Sequence, residues 1–262
     1  MQLHSLSDSL PFSLIFVVTL AIAALSFEGG FRAGRWRSQR QDHEAEVVAR
    51  VEVGVLLGLV SFILAVTFWV ATTHFDAVRQ AKLNEANAIR TTYLRADLLP
   101  EPYRSEARRL LREYVDVRLE AFRTGQYEQA ISQSEELQNQ LWSQASAAKE
   151  KVSSPIFAGY FIQSLNDMIA LHTRRVIVGT EFRIPSVIWI AIYLIMMLAA
   201  ASIGCHAGLT GGSRPLVALA FILISSVVIL LIADLDNPRR GALKVSQKVM
   251  EDLRRTMGDP NR

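Results

Sequence analysis

The sequence predicts an all-α integral membrane protein, with four transmembrane helices and a helical extramembrane domain inserted between spans two and three. Three observations carry this. Four apolar stretches of the 262-residue chain, 11–27, 53–73, 184–204 and 215–233, contain no Asp, Glu, Lys or Arg. Each is close to the roughly 20 residues a helix needs to cross a bilayer core. Between the second and third stretches lie 110 polar residues, 74–183, with 15 Lys+Arg and 14 Asp+Glu. Their apolar residues recur at helical spacing, and no strand-like alternation or internal repeat is visible. A chain that is 50% hydrophobic yet 20% charged is therefore two materials joined, one apolar and one strongly charged.

The first stretch reads as a retained span rather than a signal peptide. Residues 1–10 contain no Lys or Arg, and Ala23-Ala24-Leu25-Ser26-Phe27 is a poor cleavage site. A short charged loop with Arg32, Arg35, Arg37, Arg40 and Arg50 leads to the second span, so 1–73 forms a first transmembrane hairpin. No helix breaker follows the second span before Asp97, which predicts that it runs on as one long helix.

Breaks in 74–183 are expected at Leu99-Pro100-Glu101-Pro102, at Thr124-Gly125 and at Val152-Ser153-Ser154-Pro155. Between them run three apolar stripes. The first is Tyr103, Ala107, Leu110, Leu111, Tyr114, Val117 and Phe122; the second is Ile131, Leu137, Leu141, Ala145 and Ala148. The third is Ile156, Phe157, Tyr160, Phe161, Leu165, Met168, Ile169 and Val176. Residues 184–233 form a second hairpin, closed by a glycine-rich turn from Cys205 to Arg214, and 234–262 is a charged tail.

An even number of spans puts the helical domain and both termini on one side. Twelve basic residues near span ends lie on that side against six on the other, which predicts a multi-pass protein of the inner (plasma) membrane with the helical domain and both termini cytoplasmic.

Few features carry chemistry. The single cysteine, Cys205, excludes an internal disulfide. A net charge of +3 gives no argument for nucleic acid as a partner. No phosphate-binding glycine loop or nucleophile elbow is present, so no enzyme activity is expected. The histidines form no metal-binding pair, and His172 reads as a packed polar contact.

Two groups stand out. Gly54, Gly58, Ser61 and Ala65 make a small-residue stripe on the second span. Such a stripe permits close helix packing; on an oligomer axis the same face lines a pore. The second group is a charged cluster at the membrane boundary: Asp234, Asp236, Arg239 and Arg240 after the fourth span, with Asp76 and Arg79 after the second. Carboxylates at a helix C-terminus oppose the macrodipole. Salt bridging to nearby arginines is one reading. A cation site is the other, with Asp234 and Asp236 as weak metal candidates, although Ca²⁺ usually takes 6–8 oxygen ligands. No other cofactor is expected.

Several separated motifs resemble the bestrophin-like domain family of bacterial membrane proteins. They are Glu85-Ala86-Asn87-Ala88-Ile89, Tyr93 to Pro100, Leu111-Arg112-Glu113-Tyr114-Val115, Leu137-Gln138 with Trp142, Leu165 to Ile169, His172-Thr173-Arg174-Arg175, and Asp234-Leu235-Asp236 with Pro238-Arg239-Arg240-Gly241 and Val245-Ser246. The likeness spans roughly 50–256. The layout is also similar to that of bestrophins, which are pentameric anion channels with four spans per subunit, a helical cytosolic region and a Ca²⁺-binding acidic run after the last span. Asp234 and Asp236 lie in a loosely similar place, without the long acidic run.

The resemblance implies a homo-oligomeric ion channel in the lipid bilayer, anion-conducting in the bestrophin manner. The alternative is a non-conducting scaffold or signalling module whose helical domain binds a cytosolic protein partner.

Overall fold

The computed structural model describes residues 12–38, 43–149, 151, 155–180, 184–211, 215–237 and 246–258. Among them the secondary structure is entirely helical. The helices are α1 (Phe12–Ser38), α2 (His43–Arg95), α3 (Tyr103–Thr124), α4 (Tyr127–Lys149), α5 (Pro155–Thr180), α6 (Ser186–Leu209), α7 (Pro215–Asp236) and α8 (Lys248–Thr256), with a 3₁₀ turn at Ala96–Leu98. Four helices are long and apolar enough to cross a membrane: α1, α2, α6 and α7.

The chain divides into two compact units. Met1–Phe75 with Arg183–Lys244 is a membrane unit, and Asp76–Phe182 with Val245–Arg262 is a helical unit. The expected long helix is present: α2 is continuous for 53 residues.

In the membrane unit, α1 packs against α6 and α7. Its core draws Ala23 from α1, Val60, Leu64 and Ala71 from α2, Ile192, Met196 and Ala199 from α6, and Ile229 and Ile232 from α7. The segment after Phe27, expected to be a loop, is helical as far as Ser38. Its glycines explain why. A Cβ on Gly30 would collide with the carbonyl oxygen of Ala201, and one on Gly34 with that of Cys205. From the facing helix, Gly204 meets the Phe27 carbonyl in the same way and Gly208 that of Phe31. Two glycine pairs at i, i+4 let the backbones touch, the device by which helices associate where no hydrophobic effect separates them from lipid. Gly204 and Gly208 thus belong to α6, and the turn begins later, with Gly211 at φ 58°. Thr19 Oγ1 and Tyr193 Oη, 2.9 Å apart, add a polar tie between α1 and α6.

In the helical unit each expected break is at a helix boundary. The 3₁₀ turn ends before Pro100, and the Glu101–Pro102 peptide is cis. Gly125, with φ 75°, closes α3 in a left-handed conformation that its missing Cβ makes cheap. The third break includes 152–154, outside the described residues. The first two stripes form the core: Ala107, Leu110, Leu111 and Tyr114 of α3 pack with Leu137, Leu141, Ala145 and Ala148 of α4. The third stripe divides. Phe161, Leu165 and Met168 are buried, whereas Ile156, Phe157 and Tyr160 at the start of α5 are exposed. The tail contributes α8, whose Met250 and Leu253, together with Met257 just beyond it, enter the same core.

Candidate functional site

The membrane-unit candidate is one side of α2. Val60, Leu64, Thr67 and Ala71 face the protein core at i, i+4, i+7 and i+11, which is the period of a single buried stripe. Gly54, Gly58, Ser61 and Ala65 lie outside that stripe, and all four are exposed. A Cβ placed on Gly54 or Gly58 would meet no atom within 4 Å. The contrast with Gly30 and Gly34 is sharp: those glycines are consumed by a helix crossing, and these leave a face uncovered. Phe62 and Trp69 are exposed as well.

The boundary charges fall in both units and are described within each. In the membrane unit, Asp234 is buried near the end of α7. Asp236 Oδ1 accepts a 2.9 Å hydrogen bond from the Ile184 backbone N–H, just before α6. That bond ties the end of one span to the start of another and offsets the unfavourable place of a carboxylate at a helix C-terminus. Among the described residues no three His, Cys, Asp or Glu side chains are grouped to hold a metal ion. Asp76 and Arg79 of the helical unit are exposed on α2. Arg239 and Arg240 lie outside the described residues.

The helical unit holds a buried charged cluster that the motifs contain but do not announce. Glu85 of α2 is fully buried, facing Tyr114 and Arg118 of α3 and His172 and Arg175 of α5. The Tyr114 hydroxyl donates to Glu85 Oε1 at 2.9 Å and lies 2.7 Å from His172 Nδ1. With that proton on the carboxylate side, Nδ1–H is the donor to the Tyr114 oxygen, which fixes the tautomer. Arg175 Nε stands 2.8 Å from Glu85 Oε2 as an ion pair, yet neither atom makes an aligned hydrogen bond. Arg118 Nε is 3.7 Å from Oε1.

The electrostatics follow from the geometry. Burial alone pushes the Glu85 carboxyl up. The Arg175 charge, the His172 ring with Nδ1 3.4 Å from Oε1, and the Arg118 charge outweigh it and hold the group at about 2. Burial, reinforced by the Glu85 charge, raises the Tyr114 hydroxyl well above its usual value. The cluster is thus a carboxylate, ionised at neutral pH, that binds three helices. His172 is a packed polar contact, as expected. In the sequence Glu85 reads as a surface residue of a charged segment; the signal against that is its place beside Ala81, Ala86 and Ile89 on the apolar side of α2.

Relatives agree with this architecture. A model of the bestrophin-like domain matches residues 16–250. Among solved structures, a variant of a bacterial bestrophin homologue from Klebsiella pneumoniae superposes with a TM-score of 0.61 at 12% identity, covering 95% of this chain and 99% of that one. A second variant gives 0.64 at 13% identity over 93% and 97%. The homologue solved by zinc phasing gives 0.54 at 13% identity over 94% and 97%. At such identities the likeness is one of fold. No curated protein matches the sequence significantly. With four membrane-crossing helices and a family match over nearly its whole length, the chain is a multi-pass membrane protein that belongs to the bestrophin-like family.

Proposed function

We propose that the chain is one subunit of a homo-oligomeric ion channel, with the uncovered side of α2 as the wall of its conduction path. The observation that carries this is the exposed row Gly54, Gly58, Ser61 and Ala65, which no other described part of the chain covers. Small side chains on a shared axis leave room for ions, and charge-free spans leave no buried proton relay to drive a pump. The basic residues near span ends support an inner-membrane protein with its helical unit and termini in the cytoplasm. Anion conduction is the finer part of the reading and rests on the likeness to bestrophins. It invokes no catalytic step and no resident cofactor.

The purified protein is expected to run as an oligomer in detergent and to pass current in planar bilayers. Gly58→Trp or Ser61→Trp should reduce that current while the oligomer persists. A monomer, or a folded oligomer silent in bilayers, overturns the reading. The second outcome would favour a non-conducting scaffold. One observation supports that alternative: Ile156, Phe157 and Tyr160 are 63%, 47% and 48% exposed on the water-facing unit, a surface that suits a cytosolic protein partner.

A further inference from the structure

Within the helical unit α2 and α5 run antiparallel. Thr92 Oγ1 of α2 donates to the Ser164 carbonyl of α5 at 2.9 Å, and Glu85 meets Arg175. Counting from these two contacts puts Arg90 and Asp167 at one level, within about 1.5 Å along the axis.

The two charges leave the unit on opposite edges. Arg90 is about 60° around α2 from Tyr93, given 3.6 residues per turn. Tyr93 belongs to the α3 side, since its ring lies under Arg108 and its hydroxyl accepts from Arg112. The same count puts Arg90 about 140° from Arg95, which packs on Tyr160 of α5. Arg90 therefore marks the α3 edge of α2. On α5, Ile156, Tyr160 and Asp167 recur at i, i+4 and i+11, a single stripe. Tyr160 borders α2, so Asp167 marks the other edge.

The charges of this unit are mostly paired within the chain, as Arg108 is with Asp97, Arg109 with Glu106 and Glu113, and Arg254 with Asp116. Arg90 and Asp167 are exposed, and neither has an ion pair or a hydrogen-bond partner among the described residues. Each stands beside uncovered apolar surface: Leu94 one turn from Arg90, and Ile156 and Tyr160 along the Asp167 stripe. One edge thus offers a cation with an apolar neighbour, and the other an anion with apolar neighbours, at a matching level. The surface that complements each edge is the other edge of the same chain.

We propose that the helical units of successive copies meet head to tail, Arg90 of one copy against Asp167 of the next, with Leu94 against Ile156 and Tyr160. The inference rests on the oligomer of the channel reading above and names the surface by which its copies recognise one another. A contact between two different edges is heterologous, and repeated around an axis it closes a ring. Charges at the rim of such a contact fix register more than they add affinity. Arg174 reinforces that register: it lies seven residues beyond Asp167 on the same stripe, so a two-turn slip would set two arginines against each other.

The test uses the full-length protein in detergent, with Cys205→Ser removing the native thiol. Arg90→Cys combined with Asp167→Cys should, on oxidation, give a ladder of disulfide-linked species that continues past the dimer. Neither single variant should cross-link, because the two positions lie on different edges. A charge-swap series gives a second measurement should the cysteine variant fold poorly. Arg90→Asp and Asp167→Arg should each weaken association by up to about fivefold per contact, and the double variant should recover the wild-type oligomer fraction on dilution. The losses should shrink at ~1 M salt, where the screening length is about 3 Å. An oligomer that does not cross-link, dimers from either single cysteine, or a double swap no better than the single reversals overturns this inference and leaves the channel reading standing. A monomeric wild type overturns both, whereas a cross-linked ring that passes no current overturns conduction alone.

Discussion

The Tyr114 hydroxyl donates a 2.9 Å hydrogen bond to Glu85 Oε1, tying α3 to α2 through two side chains that are both fully buried. The bond belongs to a cluster in which one carboxylate answers two guanidinium groups. Removing the carboxylate should therefore cost far more than removing the hydroxyl. Glu85→Gln strands Arg118 and Arg175, and breaking a buried pair in this way costs about 3–5 kcal/mol. Tyr114→Phe loses one hydrogen bond to a charged group, about 1–3 kcal/mol. Thermal unfolding of both variants in detergent should show that order. Equal losses would mean that Glu85 is not the hub.

The same carboxyl makes stability depend on acid pH. Its pKa is held at about 2 in the folded protein, against 4.5 for an unperturbed glutamate. A carboxyl depressed by folding contributes stability that is complete above 4.5 and is lost as the pH falls toward 2. The stability gap between wild type and Glu85→Gln should therefore be constant from pH 7 to pH 5 and narrow below about 4.5. Unfolding curves at pH 7, 5, 4 and 3 measure it. A gap that does not change with pH would show that the Glu85 charge contributes nothing.

Glycines of the membrane unit should divide into two classes. At Gly34 and Gly204 an added side chain meets backbone carbonyls, Cys205 and Phe27 respectively, which cannot rotate away. Gly34→Val and Gly204→Val should lose at least the ~1–3 kcal/mol of an overpacked core and reduce the yield of monodisperse protein. Gly54→Ala meets nothing within 4 Å and should fold as well as wild type. Size-exclusion profiles in one detergent compare the three. Normal folding of Gly34→Val would refute the close crossing of α1 and α6.

These residues also mark what the sequence made legible. The four spans were visible because absence of charge over about 20 residues has one common physical cause. The length of α2 was visible because nothing before Asp97 breaks a helix. The end of α1 was not. Arg32, Arg35 and Arg37 read as loop, and what keeps that segment helical is a glycine match with residues some 170 positions away in the chain. The small stripe on α2 is a visible pattern in the sequence, yet only the packing separates it from the glycines used in helix crossing. Ile156, Phe157 and Tyr160 have the right spacing for a core, yet all three are exposed, and the Tyr160 ring lies beneath the Arg95 guanidinium. The Glu85 cluster needs three helices in register before its charges meet, and no local pattern encodes that meeting.

The charged tail holds the last of these long-range dependences. Helix α8 has only nine residues, too few to be stable alone in water. Its order comes from Met250, Leu253 and Met257 in the core of the helical unit, and from the Tyr93 hydroxyl, which donates to the Met257 carbonyl at 2.8 Å. Arg254 grips Asp116 with two N–H groups, at 2.6 and 3.1 Å, but the pair is solvated. Apolar burial should therefore dominate. Leu253→Ala should cost about 2–5 kcal/mol, as buried leucines do. Arg254→Ala should cost about 1 kcal/mol or less. Protease sensitivity of the C-terminal segment reports the detachment of α8 directly, and it should rise strongly in Leu253→Ala and little in Arg254→Ala. The reverse order would mean that the ion pair, rather than the apolar face, holds the tail in place.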